Sequence, residues 1–505
     1  MRQIGRQWAP QANPVWLTVG AGFVGAILIG AFAASAPVLA AGIVAVAGGI
    51  FLLALGERLL HAFVALLSGL LLGYMFFGKG FAYVGVSPLY AGEAVLAIGL
   101  IALLLTLPRL RLSVFHMGLL AFMALGLMRT VPYISTYGLD ALRDGVIWIY
   151  GLFALVLSAA LRRQDLELII RWYGRLLPWF VAWVPLVFVV THAIGSSLPT
   201  YPGTDVTIPY FKGGDMGVHL AGVAGFLLLG LYSRQFLGRD PRPREMYVWP
   251  IWILGVVMSG AINRGGLIAA ASAIAMILIL RPSRRIFGFL AAAGVVFLLL
   301  LAFNVQIDLG TRRAISASQV VDNVRSVFVD TGDERLEGTK GWRLEWWGKI
   351  YDYTFDGPYF WTGKGFGVNL ALDDGFDPEG EGTLRAPHNG HLSVLARMGV
   401  PGLALWTVFQ LGLALTMLVK CIQWRREPDE LWSKVIGWLL VYWAAFIINM
   451  SFDVYLEGPQ GGIWFWSVIG LTLAVFRLKR NADMERSEER LGSARPAAPV
   501  AEPVS

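Results

Sequence analysis

Apolar stretches of about twenty residues recur from one end of this sequence to the other. That length matches a helix crossing the hydrocarbon core of a bilayer. Composition agrees: 56% of the 505 residues are hydrophobic and only 15% are charged, against about a quarter charged in soluble domains. The expected fold is therefore all-α, a polytopic helical membrane protein.

Fourteen spans are expected, near 15–35, 38–55, 59–77, 88–107, 113–128, 141–161, 176–195, 215–233, 247–262, 265–280, 286–303, 402–420, 432–450 and 461–476. The first apolar run is long and a second follows at once, which reads as a first span rather than a cleaved signal. A single cysteine, Cys421, excludes an internal disulfide. Basic clusters at 109–111, 161–164, 234–245, 281–285, 420–427 and 477–480 fall on one side of the alternation. By the positive-inside rule that side is the cytoplasm, with both termini there. The net charge of +7 thus follows the membrane and does not suggest nucleic acid. The chain divides into eleven spans over 1–303, an outer loop with short helices over 304–401, three spans over 402–476, and a tail over 477–505. The tail is rich in Pro, Ala and charge and is expected to be disordered.

The outer loop carries the chemistry. Between 304 and 387 it holds fourteen acidic and nine basic residues, a net −5, and many aromatic residues. At its end, "APHNGHLSVLARMGVPGLALW" (386–406) spends two of the six histidines directly before an apolar run. One unbroken helix would bury Arg397 about 13 Å below His388, at 1.5 Å per residue. Gly399, Pro401 and Gly402 offer a break instead. A short outer helix over 388–398 is therefore expected, with Asn389 or His388 near its start and with His388 and His391 one turn apart on one face. A neutral imidazole there can take a proton from a hydroxyl nucleophile. Histidines that merely hydrogen-bond the loop would fit the same spacing.

Two further stretches stand out. In "SGAINRGGLIAA" (259–270) a tight outer turn places Arg264 before Gly265 and Gly266. A guanidinium beside bare helix-start amides makes an anion site, although an arginine anchored to lipid phosphate fits as well. In "TKGWRLEWWGKIYDYTFDGPYFWTGKGFG" (339–367), Trp342, Trp346, Trp347 and Ile350 follow helical spacing. They suggest an amphipathic helix at the membrane surface, with Arg343 beside the stripe and Lys364 exposed on a glycine turn. Arg385, just before the histidines, is a further candidate for substrate binding. Asp215 and His219 form an i, i+4 pair at the outer start of one span; they either line a cavity or sit in water at its boundary. Glu93 is the deepest acid in a span, and Asp453, opening the last outer turn, reads as a boundary residue in water. The loop has no DxD pair, no HExxH and no Cys/His cluster, and "LDDGFDPEGEG" (370–380) lacks calcium-loop spacing. No metal site and no cofactor are expected. No cytoplasmic segment is long enough for a nucleotide-binding domain, so nucleotide-driven chemistry is not expected either.

These motifs resemble those of the O-antigen ligase family. His388-Asn389, nine residues, then Gly399-Val400-Pro401-Gly402 resembles its H[NSQ]-x9-GxxG signature. Asn263-Arg264-Gly265 resembles its Ser-Arg-Gly turn, with asparagine for serine, and "RLEWW…GKGFG" resembles its Arg-x-x-x-Trp and Gly-x-Gly elements. The likeness covers roughly 215–420. It implies a metal-independent, inverting glycosyltransferase of the type C membrane architecture, in the bacterial inner membrane with its active site periplasmic. The implied donor is a glycan on undecaprenyl pyrophosphate, and the acceptor is lipid A–core or another glycan. His388 would be the catalytic base; Arg264 and Arg343 would steady the leaving pyrophosphate. Asn389, His391, Lys364, Arg385, Asp215 and His219 would bind substrate. A polysaccharide polymerase of the same family is the nearest alternative. A transporter of lipid-linked glycans or small solutes would need paired broken helices in two symmetric halves, and no such repeat is visible.

Overall fold

The computed structural model describes residues 37–493 except 87–88, 107–111, 202–203, 239, 241, 282–283, 304–305, 308–314, 317, 322–333 and 378–383. The span expected near 15–35 and the last residues of the tail lie outside the described residues. Among the described residues the chain is all-α, apart from two-residue ribbons pairing Gly85–Val86 with Leu89–Tyr90 and Gln306–Ile307 with Ile315–Ser316. Among the described residues six helices are long and apolar enough to cross a membrane, or seven if one bent pair is a single span; five shorter apolar helices join them.

In chain order the main helices, leaving out the single turn Arg234–Leu237, are α1 (Pro37–Phe77), α2 (Ala91–Thr106), α3 (Val114–Tyr137), α4 (Leu139–Ile149), α5 (Gly151–Ala160), α6 (Arg163–Ala193) and α7 (Gly213–Leu228). There follow α8 (Arg242–Ile262), α9 (Arg264–Leu280), α10 (Arg284–Ala302), α11 (Glu334–Tyr351), α12 (Leu370–Asp374), α13 (Gly390–Trp424), α14 (Glu430–Met450) and α15 (Pro459–Ser493). The spans expected at 38–55 and 59–77 are one helix, α1. No proline or capping residue separates them, and the only polar interruption, Glu57-Arg58, is compatible with helix. Every other expected span in the described residues has its helix. The one at 141–161 is the pair α4 and α5, bent by 44°. The tail also differs: α15 continues to Ser493, held past the apolar run by Lys479, which pairs with Glu427 at 2.8 Å.

Burial separates centre from rim. Of the apolar windows, 89% in α14 and 83% in α15 are buried, against 33–39% in the other four membrane-length helices. α14 and α15 are thus the axis, and residues such as Leu104, Trp179, Ile279 and Val408 face outward. The crossing of α7 and α9 is close because both sides are glycine. A Cβ added at Gly217 would stand 2.3 Å from Gly266 Cα, so only a small-residue seam allows this approach.

α13 breaks where its sequence says it should. Gly399 adopts φ 67 and ψ −170, a conformation that favours glycine. The backbone groups freed by the break are taken up by the outer segment: Lys364 N donates to Ala396 O at 2.7 Å, Gly365 N to Arg397 O at 3.1 Å, and Val400 N to Phe360 O at 2.8 Å. Arg397, on the expected outer helix, is wholly buried. It pairs with Asp144 at 3.0 Å and donates to Val368 O at 3.2 Å.

The tryptophan stripe of α11 packs inside the protein. Trp346 and Ile350 are buried with Leu370, Ala371, Leu392, Leu395 and Ala396 in a second, smaller core, with Trp342 and Trp347 packed at its edge. Helical periodicity reports that a face is buried, and here the partner is the outer half of α13.

Candidate active site

The turn joining the two axial helices, 451–458, lies at the end of the bundle that carries the long loop. Four separate segments meet on two of its residues. Phe452 O accepts from Arg343 Nη1 at 3.1 Å. A methyl group added at Gly265, the neighbour of Arg264, would stand 3.3 Å from Phe452 Cβ. Asp453 Oδ1 lies 3.2 Å from Lys212 Nζ and 3.6 Å from His388 Nδ1. The turn therefore gathers His388, Arg343, the backbone beside Arg264, and Lys212.

His388 precedes α13 rather than lying on it. Its φ of 53 makes it the one non-glycine residue with positive φ among the described residues, and histidine is one of the few side chains that tolerate that region. The conformation turns the chain so that Asn389 can cap α13, its side chain accepting from His391 N at 3.0 Å and Leu392 N at 3.1 Å. The expectation that His388 and His391 share a helix face is corrected accordingly. His391 faces the bundle: its Nδ1 accepts from Trp406 Nε1 at 3.0 Å and its Nε2 contacts Ile447 O at 3.3 Å. Both nitrogens are engaged inside the protein. His388 has its ring 6.4 Å from that of Trp342 and its Nδ1 towards Asp453, which leaves Nε2 as the nitrogen with no partner in the Asp453 pairing.

The electrostatics are set by burial against pairing. Burial would raise the Asp453 carboxyl, but His388 and Lys212 outweigh it and hold the group well below the usual carboxylate range. Burial would lower Lys212, yet Asp453 and Asp215 keep its ammonium above the ordinary lysine value. Arg343 is lowered by burial, partly offset by Asp453, and its buried Nε has no hydrogen-bond partner. The cluster thus sets the Asp453 carboxylate among the His388 ring, the Lys212 ammonium and the Arg343 guanidinium.

The remaining sequence candidates fall into two groups. Asp215 belongs to the neighbourhood. It is buried in the first turn of α7, accepts from Gln460 Nε2, and acts on Lys212 electrostatically. Arg264 is half-buried, opens α9 and has contacts of its own within the protein. The amides behind it are not all bare, because Asn263 Oδ1 accepts from Gly266 N at 3.1 Å. His219, Lys364 and Arg385 lie elsewhere. His219 sits in the aromatic core, 2.6 Å from Tyr442 OH and 4.5 Å between ring centroids from Trp464. Lys364, expected exposed, is buried between Asp373 and Asp374, 2.5 Å from each. Arg385 pairs with Asp144 at 3.0 Å and Asp140 at 3.3 Å. Glycine-turn and loop positions gave no hint of those long-range acids.

Asp453 and Lys212 are the residues the sequence underrated. Asp453 was expected in water, and it is 6% exposed. The available signal was an acid closing the loop between the two most apolar helices, where only a paired charge survives burial.

No curated protein matches the chain. Residues 249–407 match the model of the O-antigen ligase family, a stretch that contains Arg264, Arg343 and His388 but neither Lys212 nor Asp453. Among the described residues the chain has at least six helices long and apolar enough to cross a membrane, and over residues 249–407 it is similar to the O-antigen ligase family.

Proposed function

We propose that this protein is an integral-membrane glycosyltransferase that moves a glycan from undecaprenyl pyrophosphate to an acceptor hydroxyl at the periplasmic face of the bacterial inner membrane. The observation that carries the reading is the His388–Asp453 pair, 3.6 Å apart, on the same turn that holds Arg343.

The donor is already activated by its leaving group, so the protein's work is proton removal and charge stabilisation. Asp453 orients the ring through Nδ1 and steadies the imidazolium, as an acid does beside a catalytic histidine. Nε2 of His388 takes the proton from the acceptor hydroxyl as its oxygen attacks C1. The C1–O bond to phosphate breaks, and its electron pair leaves with undecaprenyl pyrophosphate. Attack opposite that bond inverts the anomeric centre. Arg343 and Arg264 meet the charge growing on the pyrophosphate, a role in which guanidinium groups supply paired, charge-assisted hydrogen bonds. Because these side chains carry the electrostatics, transfer is expected to be independent of divalent metal.

The test is purified protein in proteoliposomes with an undecaprenyl-pyrophosphate-linked glycan and a lipid A–core acceptor, with EDTA and without ATP. Transfer product is expected for the wild type and none for His388→Ala, although that variant inserts and folds. Turnover by His388→Ala at the wild-type rate would remove the mechanism. Elongation of the donor glycan itself, with no use of lipid A–core, would assign the polymerase activity instead.

A further inference from the structure

Lys79 lies on the turn that closes α1, far from the stretch that matches the O-antigen ligase family. Backbone bonds tie that turn to the segment before α7. Lys79 N donates to Tyr210 O at 2.9 Å and Tyr210 N to Phe77 O at 3.1 Å, and Gly78 and Tyr210 form a parallel bridge. Gly78 has φ 71, and a Cβ there would stand 2.1 Å from Tyr210 O, so the approach depends on glycine. The zipper sets Lys79 alongside the chain that, two residues beyond Tyr210, delivers Lys212 to Asp453.

The half-buried Lys79 ammonium is thereby held in electrostatic reach of Lys212, Asp215, Asp453 and Arg143. Burial and then repulsion by Lys212 lower its pKa, while Asp215 and Asp453 oppose them. Lys212 is paired with Asp453. Among the described residues no carboxylate is in direct ion-pair contact with Lys79. A cation placed near Lys212 and Arg143 without a carboxylate of its own costs free energy that a bound anion can return.

We propose that Lys79 is a phosphate-binding residue of the donor site, so that the N-terminal helices, together with Lys212, complete an anion subsite that the family-matched stretch provides only in part. The ligand class is a polyprenyl pyrophosphate. This inference rests on the donor chemistry proposed above and extends it to residues outside the matched domain.

The experiment measures binding of undecaprenyl pyrophosphate to the purified full-length protein in nanodiscs, with undecaprenol as the neutral comparison. Lys79→Met is expected to weaken pyrophosphate-lipid binding about tenfold or more, and Lys79→Arg to stay within about threefold of wild type. Undecaprenol binding is expected to be unchanged in both. Should Lys79→Met not fold, as judged by its thermal midpoint, Lys79→Gln carries the same comparison. Unchanged pyrophosphate-lipid binding in the neutral variant overturns the inference; so does equal weakening for undecaprenol, which would mark a packing role. The two readings fail separately. Transfer lost in His388→Ala with binding intact in Lys79→Met sinks only this inference. Transfer retained in His388→Ala with binding lost in Lys79→Met sinks only the catalytic reading.

Discussion

Asp453 Oδ1 stands 3.6 Å from His388 Nδ1, across a gap that joins the start of α13 to the turn between the two axial helices. The pairing is ionic in range and slightly beyond a hydrogen bond, so closing it on substrate binding would cost little. Asp453→Asn keeps the shape and removes the charge. It is expected to lower kcat by about 10²-fold or more, much of what general-base help supplies. Single-turnover transfer with saturating donor and acceptor measures this. A wild-type rate would reduce Asp453 to a partner for Lys212 alone.

Arg343 is anchored through Nη1 to Phe452 O while its buried Nε has no partner. The side chain is thus positioned but not fully used by the protein. Arg343→Ala is expected to cut kcat/KM for the lipid-linked donor by about 10²–10³-fold, the usual loss of one preorganised charge contact. Acceptor KM should move little. Arg343→Lys and Arg264→Lys should stay impaired, because a lysine cannot reproduce the guanidinium fork. Donor and acceptor titrations separate the two effects, and equal changes in both would speak against a pyrophosphate role.

His391 offers the opposite expectation. With Nδ1 accepting from Trp406 and Nε2 against Ile447 O, it closes a buried contact between α13 and α14. His391→Ala leaves those groups unmatched and should destabilise the protein by about 1–3 kcal/mol. Turnover per folded molecule should remain within a few-fold of wild type. His391→Gln, which can both accept and donate, should recover part of the thermal midpoint. A selective collapse of kcat at wild-type stability would return His391 to the chemistry.

The contrast between these two histidines shows what the sequence could carry. The break in α13 was legible because Gly399 and Pro401 punctuate a helix through local backbone rules. The pairing of histidine with a glycine turn was legible for the same reason. What was not legible is long-range: Asp453 reaches His388, and Asp144 reaches Arg385 and Arg397, only because the bundle closes. The stripe Trp342, Trp346, Ile350 announced a buried face but could not say that α13, rather than lipid, buries it. The continuity of α1 through Glu57 and Arg58 shows that two charges among apolar residues do not end a helix.

Lys364 tests the boundary between scaffold and site. It is buried against Asp373 and Asp374 at 2.5 Å each, over the Tyr353 ring at 4.2 Å, while Trp346 Nε1 donates to Asp374 at 2.7 Å. Burial alone would lower its pKa, but the two carboxylates outweigh burial and raise it. A lysine raised in the folded state gives stability that is complete below its unfolded value of about 10.4 and is lost as pH climbs through the raised value. The contribution of this pair should therefore be flat from pH 6 to 9. Lys364→Met should lower stability across that whole window by about 3–5 kcal/mol, because Asp374 is left buried without its cation. Lys364→Met combined with Asp374→Asn, which keeps an acceptor for Trp346 and removes the stranded charge, should regain much of the loss. Thermal midpoints against pH for the three proteins decide it. A Lys364→Met variant of wild-type stability with a raised donor KM would move this lysine from the framework of the outer segment into the binding site.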